Sequence, residues 1–305
     1  VYMSIALQVA LVMVTILVVL LVIGAPIGVA IGMSSAVSMI CMIPADVSFA
    51  TSAQRIFAGS NSFSLIAIPF FILAGNIMNN GGIATRLVNC AKVISGRMPG
   101  ALAQSNVVAN MLFGAISGSG AAAAAAMGGT IGPLEEKEGY DKNYSTAVNV
   151  ASAPVGMLIP PSNTMIVYSS VAGSVSIAAL FMAGYIPGLL WGGAVMILAG
   201  IMAKKRGYQA EQRVPVKVAL KTFWQAIPSL LLIVIVIGGI LGGIFTATEG
   251  SAIAVVYATV LSLIYKAFKI KDIPRIVLEA AKTTGIITFM IGLSSIMSWA
   301  MAFTG

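Results

Sequence analysis

The sequence predicts an all-α, polytopic membrane protein, and three observations carry that reading. Of its 305 residues 59% are hydrophobic and 9% charged, where soluble domains carry about 25% charged residues. Apolar runs near the length of a bilayer crossing recur from one end to the other. Between them stand Gly, Pro and Asn punctuation and short clusters of Lys and Arg.

A spanning helix needs about 20 apolar residues. The first run, 5–23, closes at Gly24-Ala25-Pro26 and has neither a basic leader nor a small-residue cleavage site, so it reads as a retained helix. A shorter one, 29–43, ends at Pro44-Ala45-Asp46. A polar stretch, 51–61, precedes a span over 64–78 that Pro69 interrupts. Asn76, Asn79 and Asn80 read as its end and turn, before Gly81-Gly82. Arg86, Lys92 and Arg97 mark an interfacial helix. Residues 101–115 and 121–131 are limbs too short to cross comfortably, joined by Ser117-Gly118-Ser119-Gly120, which is the pattern of a re-entrant hairpin. After a charged loop, 135–142, an apolar segment over 144–171 is broken by Ser152-Ala153-Pro154-Val155-Gly156 and Pro160-Pro161-Ser162-Asn163-Thr164. Further spans are expected over 177–202, 227–245 and 251–265, and from Thr283 onward. Trp191, Trp224 and Trp299 read as membrane anchors or packing residues. The last run meets no polar anchor before Gly305, as expected of part of a longer protein.

The net charge of +8 sits in short inter-helix loops, which points to membrane topology and lipid rather than to nucleic acid. Lys204, Lys205, Arg206, Arg213, Lys217 and Lys221 place one loop in the cytoplasm, and Lys266, Lys269, Lys271 and Arg275 fall on the same side two spans later. Counting backward returns 135–142 to the cytoplasm. Arg86 to Arg97 then join it only if 101–131 enters and leaves by one face, so the charges support the hairpin independently of its length.

Several chemistries fall away. No histidine occurs, which removes the usual general base, the Ser-His-Asp triad and the commonest metal ligand. No Gly-x-x-x-x-Gly-Lys-[Ser/Thr] loop occurs, so an ATPase is not expected, and the spans carry no candidate base for an enzyme. Cys41 and Cys90 lie in or beside apolar segments and read as small hydrophobes. No Lys, Arg, Asp or Glu lies mid-span, the nearest being Glu249 in the Thr246-Ala247-Thr248-Glu249 turn. A carboxylate proton relay is therefore disfavoured, and neutral oxygens remain for a cation.

The two breaks supply them. Pro154, Pro160 and Pro161 each lack an N–H and obstruct the preceding turn, leaving carbonyls unpaired, while Ser117 and Ser119 add hydroxyls. An anion would favour the opposite feature, the positive helix N-terminus at Gly120 and Ala121. Ser162, Asn163 and Thr164 open the second half of the broken helix and can donate to a carboxylate. The alanine run 121–126 reads as a helix-packing surface. A Ser-Gly-Ser-Gly turn and a proline kink remain the plainer readings of the two breaks.

The hairpin Gly114-Ala-Ile-Ser-Gly-Ser-Gly-Ala, the Gly-Tyr-Asp at 139–141 and the Ala-Ser-Ala-Pro-Val-Gly-Met-Leu-Ile-Pro-Pro-Ser-Asn run at 151–163 resemble the large membrane (M) subunit of tripartite ATP-independent periplasmic (TRAP) transporters. So do Val175-Ser-Ile-Ala-Ala-Leu-Phe, Pro187-Gly188 and Thr246-Ala-Thr-Glu-Gly, in order along essentially the whole chain. The resemblance implies an inverted-repeat, elevator-type secondary transporter of the bacterial inner membrane, driven by sodium. It also implies a small membrane (Q) subunit, a periplasmic binding protein and a small organic acid substrate, with a lean to sialic acid beside dicarboxylates and sugar acids. Carried onto this chain, the first sodium (Na+) site uses Ser117 and Ser119 with the backbone around Gly156, Ile159 and Pro161, and the residue chemistry above puts the substrate at Gly120, Ala121, Ser162, Asn163 and Thr164. The expected divisions are N-terminal and interfacial helices (1–100), hairpin and broken helix (101–174), connecting helices with a basic loop 204–224 (175–246), and the start of a second, incomplete repeat (247–305). Two other classes stay open: an uncoupled channel or structural subunit, and a sodium/dicarboxylate symporter that works without a binding protein. The tips of such symporters carry Ser-Asn-Thr, which here follows a double proline in a broken helix instead.

Overall fold

A computed structural model describes residues 5–173, 175–208, 210 and 215–304. The expected division limits at 1, 174 and 305, and Arg213 of the basic loop, lie outside them. Every regular element among the described residues is helical: α1 (Ile5–Val22), α2 (Ile27–Met39), α3 (Ala45–Ser60), a 3-10 turn (Phe63–Ile66), α4 (Ala67–Asn80), α5 (Ile83–Ser95), α6 (Ala101–Ser117), α7 (Gly120–Thr130), α8 (Gly132–Lys137), α9 (Lys142–Ser152), α10 (Val155–Leu158), α11 (Asn163–Ala172), α12 (Ile177–Lys205), α13 (Val216–Leu241), α14 (Ala247–Ile264), a second 3-10 turn (Ile270–Asp272) and α15 (Ile273–Thr304). Among these residues six helices are long and apolar enough to cross a membrane, or seven if α9 to α11, bent by 47° at their break, count as one span. The chain is thus a multi-pass helical membrane protein.

Several expected boundaries move. The polar stretch 51–61 lies almost wholly inside α3, where Ser48 and Ser52 turn inward and donate to the carbonyls of Ala36 and Ser48, each at 2.8 Å. Self-satisfied hydroxyls let a polar-looking segment remain a helix. Pro69 does not interrupt a span, because it occupies the first turn of α4, where its missing N–H has no intrahelical partner to lose. α13 begins at Val216 and α15 at Ile273, each about three turns earlier than the apolar runs. Lys217, Lys221 and Arg275, expected in loops, are therefore helical and exposed. Lys and Arg are good helix formers, so hydropathy marks where an apolar core begins and not where the helix does. Glu135 is likewise no loop residue; it lies in α8 and is buried. The turn at Thr246 is as expected, a capping box in which Thr246 and Glu249 each accept from the other's backbone N–H. Cys41 is exposed and Cys90 buried.

The chain divides into two compact units. One holds the described residues up to Leu65 together with those from Lys282 onward. Within it Leu293 seats beside Gly28 and Gly32, and Trp299 stacks on Phe303 at 4.8 Å while the Arg55 guanidinium lies 5.4 Å from the Trp299 ring. The other unit, Ile66–Ala281, holds both breaks. Its core joins α5, α6, α7, α9 and α12 through Val88, Leu102, Phe113, Met127, Tyr144 and Ala199. At one end of this core Tyr140 stacks on Tyr208 at 4.3 Å, the Tyr144 hydroxyl donates to the Ala199 carbonyl at 2.8 Å, and Arg206 pairs with Asp141 at 3.0 Å. That latch ties the start of α9 to the end of α12.

Candidate functional site at the hairpin tip and the broken helix

Contacts along the broken helix show that α6 and α7 form a hairpin. Asn149 meets Asn110 of α6 and the Ala124 carbonyl of α7. Further along, the added side chain of any residue at Gly114 would meet Gly156, and one at Gly120 would meet the Ala153 carbonyl at 3.2 Å. At the break itself, Gly118 sits over Pro161 and Asn163. Advancing along α9 to α11, numbers therefore rise in α6 and fall in α7, so the limbs run antiparallel and lay the tip on the break.

The tip is built by local rules. Gly118 caps α6 in the left-handed region, at φ +61, with its N–H donating to the Gly114 carbonyl at 2.8 Å; this conformation favours glycine. Space demands glycine there as well, since a Cβ would lie 2.9 Å from the Asn163 nitrogen and 3.1 Å from the Pro161 carbonyl oxygen. Ser119 then starts α7 as its N-cap, its Oγ accepting from the Ala122 N–H at 3.3 Å. Across the break Ser162 does the same for α11, accepting from the Met165 N–H at 3.4 Å while its own hydroxyl donates to the Met157 carbonyl. One serine thus bridges the two halves of the broken helix. Two helix N-termini, those of α7 and α11, come to the same place, and their partly positive ends suit an anion.

The oxygens at this meeting point are neutral. The Asn163 amide donates to the Ser117 carbonyl at 3.4 Å, and the Ser117 hydroxyl donates to the Ser119 carbonyl at 3.4 Å. Asn163 is 7% exposed and its Oδ1 has no hydrogen-bond partner. A buried acceptor left open costs free energy unless something fills it. Ser117 and Asn163 oxygens, the Pro161 carbonyl and the Ser119 hydroxyl make a donor set fit for a hard monovalent cation, which prefers oxygen and needs no carboxylate.

Of the residues expected at a sodium site, the structure brings Ser117, Ser119 and Pro161 together around Gly118. Gly156 and Ile159 stand one turn back: Gly156 lies against Gly114, and Ile159 packs with Ala115 and Val155 and against Gly188. Of the expected substrate residues, Gly120, Ser162 and Asn163 are buried at the tip and break, while Ala121 and Thr164 are exposed on the first turns of α7 and α11. Asn163, assigned from sequence to the substrate alone, also faces the cation side through Ser117. Gly118 and the Gly114–Gly156 contact were missed. The signal for the first was present, since glycine after a helix's last residue is the ordinary αL cap; the second is a pairing between distant segments that no local pattern carries.

Fold and site together define a multi-pass helical membrane protein whose hairpin tip and broken helix gather neutral oxygens and helix N-termini at one point. The family model described as "Tripartite ATP-independent periplasmic transporter, DctM component" matches residues 14–305, so the chain belongs to that family. It is 51% identical over 268 residues to the protein YgiK of Salmonella typhimurium, described as uncharacterized, covering 88% of this chain and 62% of that protein. It is 36% identical over 269 residues to the C4-dicarboxylate TRAP transporter large permease protein DctM of Rhodobacter capsulatus, covering 84% and 61%. Identity is 37% over 256 residues to the sialic acid TRAP transporter large permease protein SiaM of Vibrio cholerae, covering 82% and 59%. The chain thus spans about three fifths of the length of these relatives.

Proposed function

We propose that this chain carries one sodium site and one wall of the substrate pocket of a sodium-driven secondary transporter for a small organic acid. The observation that carries the reading is the tip laid on the break, with the open Asn163 Oδ1 among neutral serine and proline oxygens. Sodium fills the oxygen cage first and fixes the tip, so the anion meets a preformed pocket beside two helix N-termini. Ser117, Ser119, Pro161 and the open Asn163 Oδ1 hold the ion, with Gly156 and Ile159 shaping the break behind them. Of the expected substrate residues, Ala121 and Thr164 on the exposed first turns face the substrate beside Gly120, while Ser162 and Asn163, whose side chains are held by Met157 and Ser117, fix the α11 N-terminus behind them.

Family membership supports the rest of the scheme: a small membrane subunit, a periplasmic binding protein that delivers the substrate, and a bacterial inner-membrane location. Under this reading the hairpin and broken helix, 101–174, form half of an element that moves as an elevator, and 247–305 opens an inverted second repeat. Relatives named for a C4-dicarboxylate and for sialic acid match the chain about equally, which supports an organic acid without choosing one. Sialic acid stands beside dicarboxylates as a candidate substrate.

The complete transporter with its binding protein, reconstituted in proteoliposomes, tests this. Uptake should require an inward sodium gradient, and the joint replacement Ser117→Ala and Ser119→Ala should raise the half-saturating sodium concentration about tenfold or more, as loss of ligands to a charge does. Full uptake in sodium-free buffer under a proton gradient would sink the sodium reading. An unchanged sodium requirement in the double variant would move the site elsewhere. Uptake that persists without the binding protein would favour the symporter class.

A further inference from the structure

A second polar site lies at the other end of the hairpin. A cavity of about 330 Å³ opens between the end of α7, α8 and the start of α9, lined by Asn106, Glu135, Glu136, Lys142, Ser145 and Asn149 among others. Asn106 and Ser117 are eleven residues apart on α6, so the cavity is about 16 Å from the tip along that helix. Glu135 is 1% exposed, yet its Oε1 has no hydrogen-bond partner. The Asn106 Nδ2 and Ser145 Oγ, both buried at the same cavity, face that carboxyl and favour its charged form without closing a hydrogen bond of good geometry. Asn106 cannot turn its oxygen to the cavity without cost, because that oxygen already accepts from the Asn110 amide at 2.9 Å.

These three open groups define the guest. A buried carboxyl with no buried cationic partner excludes an anion and calls for positive charge. A single carboxyl among neutral groups matches one charge rather than two. The Asn106 amide and Ser145 hydroxyl are turned to the carboxyl, so an ion here keeps part of its water shell, for which the cavity has room at about 30 Å³ a water. The remaining charged groups are at the rim: Glu136 on α8 and Lys142 at the start of α9, both exposed and opposite in sign. Tyr140 and Tyr144 flank the site, and Asp141 is held by Arg206. α6 and α7, which also pack on α8, bring no titratable side chain.

We propose that this cavity binds one monovalent positive charge, a proton or a hydrated alkali cation, on Glu135 with Asn106 and Ser145. The site is separate from the oxygen cage at the tip and does not depend on it. Burial pushes the Glu135 carboxyl up to about 7, against a smaller downward pull from Ser145 and Asn106. The proton is therefore shed near neutral pH, and above that point the carboxylate is open to a cation. The linkage has a definite sign: from pH 4.5 to about 7 the folded chain keeps a proton that the unfolded chain releases, so stability falls as pH rises through this window.

Infrared titration of the complete transporter in lipid nanodiscs, in the Ser117→Ala, Ser119→Ala background that weakens the tip cage, reads the carboxyl directly. A protonated-carboxyl band that disappears near pH 7, and is absent in Glu135→Gln, is the expected result. Ser145→Ala should move its midpoint upward, a shift that a merely structural role would not cause. The source of the charge is read by adding potassium or sodium chloride at pH 8. A rise in melting temperature seen with Glu135 and lost in Glu135→Gln assigns an alkali ion, and the titrating band without that rise assigns the proton. A carboxyl that stays ionised down to pH 5, with no effect of either salt, overturns the site.

Discussion

Gly156→Val should separate the hairpin from the broken helix. The backbones of Gly114 and Gly156 touch, and a Cβ on either would fall inside contact distance of the other's Cα. Nothing there can yield, because the obstacle is backbone and not the far end of a side chain. Overpacked cores lose about 1–3 kcal/mol, and more when backbone blocks relief; with two extra methyl groups as well, the upper end is expected. The variant should melt several degrees lower in detergent and lose uptake in proteoliposomes. Gly114→Val should do the same, and the two together should cost less than their sum, since one displacement relieves both. A Gly156→Val protein with unchanged melting and uptake would show that the hairpin does not rest on α10 at this point.

Asn110→Leu should be the next most damaging change. The Asn110 amide reaches Asn106 Oδ1 at 2.9 Å, Asn149 Oδ1 at 3.0 Å and Ser152 Oγ at 2.7 Å, and Asn149 in turn donates to the Ala124 carbonyl at 2.9 Å. One amide therefore ties α6 to α9, and its partner ties α9 to α7. Hydrogen bonds between helices in a membrane are worth about 0.6–2 kcal/mol each, and removing the donor leaves buried acceptors open, so a loss of about 2–4 kcal/mol is expected. Thermal unfolding measures it. Leucine is apolar and close in volume, so an unchanged melting temperature would mean that packing alone holds the three helices.

Much of the fold was legible in the residues. Apolar runs of spanning length located the crossings, because lipid removes every alternative to internal hydrogen bonding. Ser-Gly-Ser-Gly between two half-length limbs announced the hairpin, and the prolines announced the break. Helix starts were less legible: α13 and α15 extend past their apolar runs into lysine and arginine, which favour a helix as readily as leucine does. Glu135 and Asn110 were missed for a related reason. A glutamate among charged neighbours reads as surface, and two asparagines four apart in an apolar limb carry a signal only when that limb is known to face other helices.

What the sequence by itself determined is the membrane class, the hairpin, the broken helix and the neutral character of the oxygens around both. Those properties are local, set by backbone chemistry and by the hydrocarbon that surrounds it. Only the tertiary structure decided which oxygens meet. Placing Gly118 on Pro161 and Asn163, Gly114 on Gly156 and Asn110 on Asn149 requires antiparallel limbs laid along one broken helix. Contacts between residues some forty apart depend on how helices pack, which the order of residue types does not state.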